Sequence, residues 1–144
     1  DSGIVEGTVR TVSSEDRIHI CERLKILAEN IAHSIGGTAE WTWKGGTPAT
    51  RNDAEWVQVA IETAKNLHLS VEKAPNSLAG EDFAFYQEKI PGAFIQIGTG
   101  ISPMNHNPAF RIDPDPLYDS IAYSADLFKE ACKKIQQNEE YQSD

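Results

Sequence analysis

Thr38-Ala39-Glu40-Trp41-Thr42-Trp43-Lys44-Gly45-Gly46-Thr47-Pro48 is the stretch on which the fold turns. Ala39, Trp41 and Trp43 fall on one side and Thr38, Glu40, Thr42 and Lys44 on the other, the period of two of a half-buried strand. Gly45-Gly46-Thr47-Pro48 then breaks the chain between two different hydrophobic patterns. A domain boundary is expected there, with residues 1–45 before it and 46–144 after it.

Working back toward the N-terminus, residues 4–11 also alternate, Val5, Gly7 and Val9 against Glu6, Thr8 and Arg10. Between the two strands, Ser13-Ser14-Glu15-Asp16 predicts a helix start, with a hydroxyl cap and an acid three positions on. Ile20, Leu24, Leu27, Ile31 and Ile35 follow at helical spacing as the expected core stripe, flanked by Cys21, Ala28 and Ala32, and Gly36-Gly37 ends the helix. The result is β-α-β with a sheet apolar on one face. Two strands and one helix bury too little to stand alone, so this unit reads as half of something larger.

Beyond the break, Asn52 is expected to cap a helix, with Glu55 three positions on and Val57, Ile61, Ala64 and Leu67 facing inward. A short strand over 69–72, a short helix after an Asp82 cap, and a well buried strand over 94–97 come next. The last helix has Asp115 as its expected cap and Pro116 in its first turn. Its expected core side is Leu117, Ile121, Ala125, Phe128, Cys132 and Ile135, and the polar tail over 136–144 is expected to fray. Residues 46–135 are therefore α-β-α-β-α, an α/β layer in which helices cover a sheet.

Composition narrows the function. Thirteen Lys and Arg against 22 Asp and Glu give a net charge of −9, with no basic cluster able to displace counterions from a phosphate backbone, so nucleic acid is excluded as a partner. Forty per cent hydrophobic residues supply a real core. No apolar run approaches the roughly 20 residues that cross a bilayer, and no basic-then-apolar export leader opens the chain. No membrane association and a cytoplasmic location are the expectation. Cys21 and Cys132, far apart and each on an expected apolar helix side, are expected to be reduced and buried.

In an α/β layer, ligands bind in loops beyond the carboxyl ends of strands, which directs attention to residues 80–83 and 98–108. Glu81 and Asp82 place two carboxylates at a helix start, and Gly80 lets the backbone turn or approach closely. They either orient a ligand or metal-bound water, or form an Asp cap with a solvated Glu beside it. His106, followed by Asn107-Pro108, is either a neutral imidazole ligand for zinc or manganese or an exposed histidine. His19, His33 and His68 read as surface residues. G-x-S-x-G, H-E-x-x-H, Walker A and G-x-G-x-x-G are all absent.

Taken in order, Glu6-Gly7-Thr8-Val9-Arg10-Thr11, Pro48-Ala49-Thr50-Arg51-Asn52-Asp53, Gly80-Glu81-Asp82-Phe83-Ala84-Phe85-Tyr86, Pro91-Gly92-Ala93-Phe94, Gly98-Thr99-Gly100 and His106-Asn107-Pro108 resemble one family. It is the metal-dependent amidohydrolases that include hippurate hydrolase, N-acyl-amino-acid deacetylases and auxin-conjugate hydrolases, relatives of aminoacylase and the zinc carboxypeptidases. The resemblance runs from Glu6 to about Ile135. It implies the C-terminal part of a zinc-exopeptidase-like catalytic domain, residues 46–144, preceded by half of a ferredoxin-like lid, residues 1–45. In the family that lid is inserted into the catalytic domain and commonly mediates dimerisation, so a homodimer is implied.

The resemblance further implies two zinc or manganese ions whose bridging water, deprotonated by a glutamate, attacks the amide of an N-acyl amino acid. His106 matches the family's metal-binding histidine. Gly80, Glu81 and Asp82 match a cleft-lining segment, and Gly98, Thr99 and Gly100 a backbone turn near the substrate. Arg10 matches a lid strand without a defined role. The other ligands and the general base match nothing in this chain, so no catalytic residue is expected here, no metal is expected to be held by it alone, and isolated it should be inactive. The start at Asp1-Ser2-Gly3 fits a cut fragment. The competing expectation is a non-catalytic binding or dimerisation module presenting Trp41 and Trp43.

Overall fold

A computed structural model describes residues 2–142. The described residues form four helices: α1 (Ser14–Ser34), α2 (Ala54–Asn66), α3 (Phe83–Gln87) and α4 (Asp115–Gln142). Their ends follow local chemistry. The Ser13 hydroxyl accepts the Asp16 N–H at 3.3 Å and caps α1 as expected. At the other end Gly36 takes φ +76°, its N–H reaches the His33 carbonyl at 3.0 Å, and the Gly37 N–H reaches Ala32 at 2.9 Å. That pair of bonds closes a Schellman motif, which needs a left-handed residue at the position Gly36 fills.

The cap of α2 is Asp53, one residue later than expected, and its carboxylate accepts the N–H groups of Glu55 and Trp56 at 3.0 and 3.1 Å. Asn52 is diverted to another task described below. α2 ends in a second Schellman motif, with bonds from His68 to Lys65 and from Leu69 to Ala64, both 2.9 Å. Here the left-handed position, φ +58°, is filled by His68. α4 begins at Asp115, with the Asp113 carboxylate accepting the Asp115 N–H at 3.1 Å, so Asp113 takes the capping role expected of Asp115. α4 continues to Gln142 where a frayed tail is expected from Gln136, while Ser143 and Asp144 lie outside the described residues.

The chain forms two compact units. One comprises Asp1–Arg51 and Asn76–Ile90, with α1 and α3; the other comprises Asn52–Pro75 and Pro91–Asp144, with α2 and α4. In the second unit, α2 and α4 pack through Ala60, Thr63, Ala64 and Tyr123, all buried, and the Tyr123 hydroxyl donates to the Ala60 carbonyl at 3.2 Å. Lys134 reaches Glu55 at 2.6 Å. In the first unit, Pro48 and Ala84 are buried, and one side of α1 meets Trp41 and Trp43 across a shallow cleft lined also by Arg17, Ile18, Cys21 and Lys25.

Two expectations are corrected. No strand occurs among the described residues, although strands are expected over 4–11, 38–44, 69–72 and 94–97. Val5 is fully exposed, and Ile95 and Ile97 are 37% and 44% exposed instead of well buried. A strand exists only through a neighbour's hydrogen bonds, and alternating segments without that neighbour form no ladder.

The buried faces of the long helices are also displaced. On α1 the half-buried positions are Arg17, Cys21, Ala28 and Ala32, about 60° round the helix from the expected stripe. That stripe is exposed, from 38% at Leu24 to 83% at Ile35. On α4 the inward side is Pro116, Ser120, Tyr123, Leu127 and Ala131, leaving Leu117, Ile121, Ala125, Phe128 and Ile135 exposed. Both cysteines are free and half-buried. On both helices the less exposed side is displaced from the expected stripe, which stays open to solvent.

Candidate functional site

The second unit carries residues 98–100 and His106, and it is organised from the start of α2. Asn52 does not cap that helix because its side-chain amide pairs with the backbone of Phe94. Its Oδ1 accepts the Phe94 N–H at 2.8 Å and its Nδ2 donates to the Phe94 carbonyl at 2.9 Å. One side chain thereby reproduces the two-point pairing of a neighbouring strand. The Asp53 N–H adds a bond to the Gly92 carbonyl at 3.0 Å. Asn52-Asp53 and Gly92-Ala93-Phe94, 39 or more residues apart in sequence, are one structural joint.

That joint fixes the start of 94–97, which runs into Gly98, Thr99 and Gly100. Thr99 is half-buried, and Gly100 takes φ +89°, a conformation that an L side chain rarely adopts. A Cβ on Gly98 would meet nothing within 4 Å, so its backbone is open to approach.

His106 follows in a loop made of consecutive turns. The Asn107 N–H bonds the Met104 carbonyl at 3.1 Å, which puts His106 at the third position of the turn with φ +68°. The Asn107 side chain then accepts the Ala109 N–H at 2.9 Å, and Phe110 N–H bonds the Asn107 carbonyl at 2.9 Å. Ser102 Oγ receives the Arg111 N–H at 3.0 Å and ties the base of the loop. His106 is thus an exposed imidazole on a turn whose backbone is held left-handed, a conformation that costs a non-glycine residue roughly 1–2 kcal/mol. Among the described residues, no three His, Cys, Asp or Glu side chains gather as a metal cluster.

The first unit carries Gly80, Glu81 and Asp82. Gly80 is required by close approach: a Cβ there would stand 2.5 Å from Thr47 Oγ1. Glu81 is half-buried, and its carbonyl accepts the Ala84 N–H at 3.1 Å to open α3. Asp82 stands at the cap position, yet its side chain makes no capping bond, so α3 is started by backbone turns and the Asp82 carboxylate is exposed. The structure therefore groups Gly80, Glu81 and Asp82 in one unit, and Gly98, Thr99, Gly100 and His106 in the other.

Arginines were undervalued by the sequence pattern. Arg10 donates to the Leu78 carbonyl at 2.8 Å, and Arg17 donates to the carbonyls of Gly46 and Thr47 at 3.1 and 2.7 Å. Arg17 is one of the half-buried positions of α1, which only the structure shows.

The profile described as peptidase family M20/M25/M40 matches residues 3–132. The chain belongs to this family. An N-acetylcysteine deacetylase of Bacillus subtilis is 40% identical over 127 residues, which is 88% of this chain and 33% of that protein. An IAA-amino acid hydrolase of Arabidopsis thaliana is 31% identical over 130 residues, 81% of this chain and 28% of that one. The crystal structure of a Bacillus subtilis protein described as a dinuclear metal binding peptidase from the M20 family superposes with a TM-score of 0.74 at 38% identity, over 80% of this chain and 32% of that chain. The chain thus spans about one third of the length of these curated relatives. The peptidase-like fold is that of the M20 family, and no helix among its described residues is long and apolar enough to cross a membrane.

Proposed function

We propose that these residues are the C-terminal portion of an M20 amidohydrolase that cleaves the amide bond of N-acyl amino acids, N-acetyl or hippurate-like, in the cytoplasm. Residues 1–45 would be the second half of the inserted lid and 46–144 the returning catalytic segment. The observation that carries this reading is His106. Its imidazole is exposed on a loop whose turns are fixed by hydrogen bonds, and a left-handed non-glycine residue at such a tip supports a functional role. The names of the relatives supply the substrate class, N-acetylcysteine and an amino-acid conjugate.

The dinuclear metal of the solved relative cannot be transferred whole. A pair of zinc or manganese ions needs several imidazole and carboxylate donors, and the described residues gather no such group. His106 would supply one ligand, with Glu81 and Asp82 lining the cleft and Gly98, Thr99 and Gly100 offering open backbone beside the substrate. The remaining ligands and the general base would lie in the part of an M20 chain outside the matched third, and the 144 residues alone would be inactive. A homodimer formed through the lid belongs to the same proposal.

Release of free amino acid from N-acetyl and N-benzoyl amino acids tests the reading. It would be measured with zinc or manganese for the 144-residue chain and for the longest polypeptide of the source that carries these residues. Metal-dependent turnover in the longer species and none in the shorter is expected. Equal rates from both would overturn it, and a source species of only 15.9 kDa would favour a binding module instead.

A further inference from the structure

The loop that delivers Glu81 and Asp82 has little to hold it. Residues 71–80 are all exposed and carry no regular secondary structure. Within Asn76–Ile90 of the first unit, the stretch before Glu81 makes one local bond, from the Ala79 N–H to Ser77 Oγ at 3.1 Å. Its long-range attachments come from elsewhere. Arg10 Nη1 donates to the Leu78 carbonyl across 68 positions of sequence, and Gly80 rests against Thr47, whose own carbonyl is gripped by Arg17 Nη1. Arg10 also lies near enough that a Cβ on Gly80 would be 3.9 Å from its guanidinium.

We infer that Arg10 is the positioning residue of this loop, fixing the backbone at Leu78 so that Gly80 seats on Thr47 and the carboxylates of Glu81 and Asp82 are presented from a defined turn. An arginine suits the task because its fork donates to a carbonyl from the end of a long stem that remains charged at any working pH. The inference rests on the reading of residues 80–82 as cleft residues, but its mechanics concern this chain alone. Two points of attachment are needed: Leu78 fixes position along the loop, and the missing Cβ of Gly80 sets how closely the loop approaches the Thr47 side chain. Arg17 holds the Thr47 end of the same joint.

Backbone 15N relaxation of the 144-residue chain, measured by NMR, tests this without any substrate. With the Leu78 carbonyl released in Arg10→Met, the order parameters of Leu78, Ala79 and Gly80 should fall to those of a flexible segment, below about 0.6. Those of α2 and α4 should be unchanged, and Arg10→Lys should stay closer to the parent because it still offers a charged donor. Gly80→Ala should loosen the same residues, and adding Thr47→Ala, which removes the Oγ1 atom 2.5 Å from the new Cβ, should restore them. Unchanged loop order parameters in Arg10→Met would overturn the inference, as would a fall spread equally over α2 and α4, or no difference between the Lys and Met variants. The hydrolysis assay above decides the cleft reading separately, since a loop held by Arg10 stands or falls on relaxation alone.

Discussion

Replacing Asn52 should loosen the joint between α2 and residues 92–94. Asn52→Ala removes the acceptor of the Phe94 N–H at 2.8 Å and the donor to its carbonyl at 2.9 Å. Each such bond contributes about 0.5–1.5 kcal/mol net, and both lie toward the surface where water replaces part of the loss, so about 1–2 kcal/mol is expected. With a urea slope of roughly 1–3 kcal/mol per molar, the midpoint should fall by about 0.5–1 M. Trp56, half-buried in the first turn of α2, is the fluorescent reporter. Asn52→Asp is the sharper variant: it keeps the acceptor but turns a carboxylate oxygen toward the Phe94 carbonyl, and should cost at least as much as Ala at pH 7. Below about pH 4, protonation returns a donor and the gap to the parent should narrow. An Ala midpoint indistinguishable from the parent, or an Asp variant with the same deficit at both pH values, would refute the two-point pairing.

Tyr123 gives a pH signature. Burial pushes its phenol above the ordinary value of 10.0. The folded chain therefore keeps a proton that the unfolded chain has already released, so the contribution is complete below about pH 10 and lost as the pH rises through the folded value. Tyr123→Phe should cost about 1 kcal/mol at pH 7 through the lost bond to Ala60, and its stability should fall less steeply than the parent's above pH 10; parallel urea midpoints across that range would contradict this. His68, at φ +58° in the closing motif of α2, should be improved by glycine, and His68→Gly is expected to raise stability by up to about 1 kcal/mol in the same unfolding assay.

Helix starts and stops were legible because they are local: Ser13 caps α1 and Gly36 closes it within a few residues of chain. Asn52 was misread as a cap because its partner, Phe94, lies 42 residues away, and the cap passed to Asp53. The strands were misread for a related reason. Alternation in 4–11 and 38–44 states which side would be buried if a neighbour arrived, and no neighbour is present among the described residues. On α1 and α4 the less exposed side is displaced from the expected stripe, and spacing alone cannot say which side a given partner covers, so Leu24 and Ile121 were assigned to a core that Cys21 and Tyr123 occupy more deeply. The candidate segments themselves were legible as motifs. The left-handed turn at His106, the seat of Gly80 on Thr47 and the reach of Arg10 to Leu78 were not, because each depends on backbone conformation or on tertiary proximity.

On the proposed reading, His106 is one metal ligand of a centre whose other ligands lie outside these 144 residues. The most direct test is metal content after purification in zinc or manganese, measured by plasma mass spectrometry. The 144-residue chain is predicted to retain essentially no metal. The longest source polypeptide carrying these residues is predicted to retain a metal pair that His106→Ala depletes. A pair bound stoichiometrically by the 144 residues, or a longer species whose metal content ignores the loss of His106, would contradict the account.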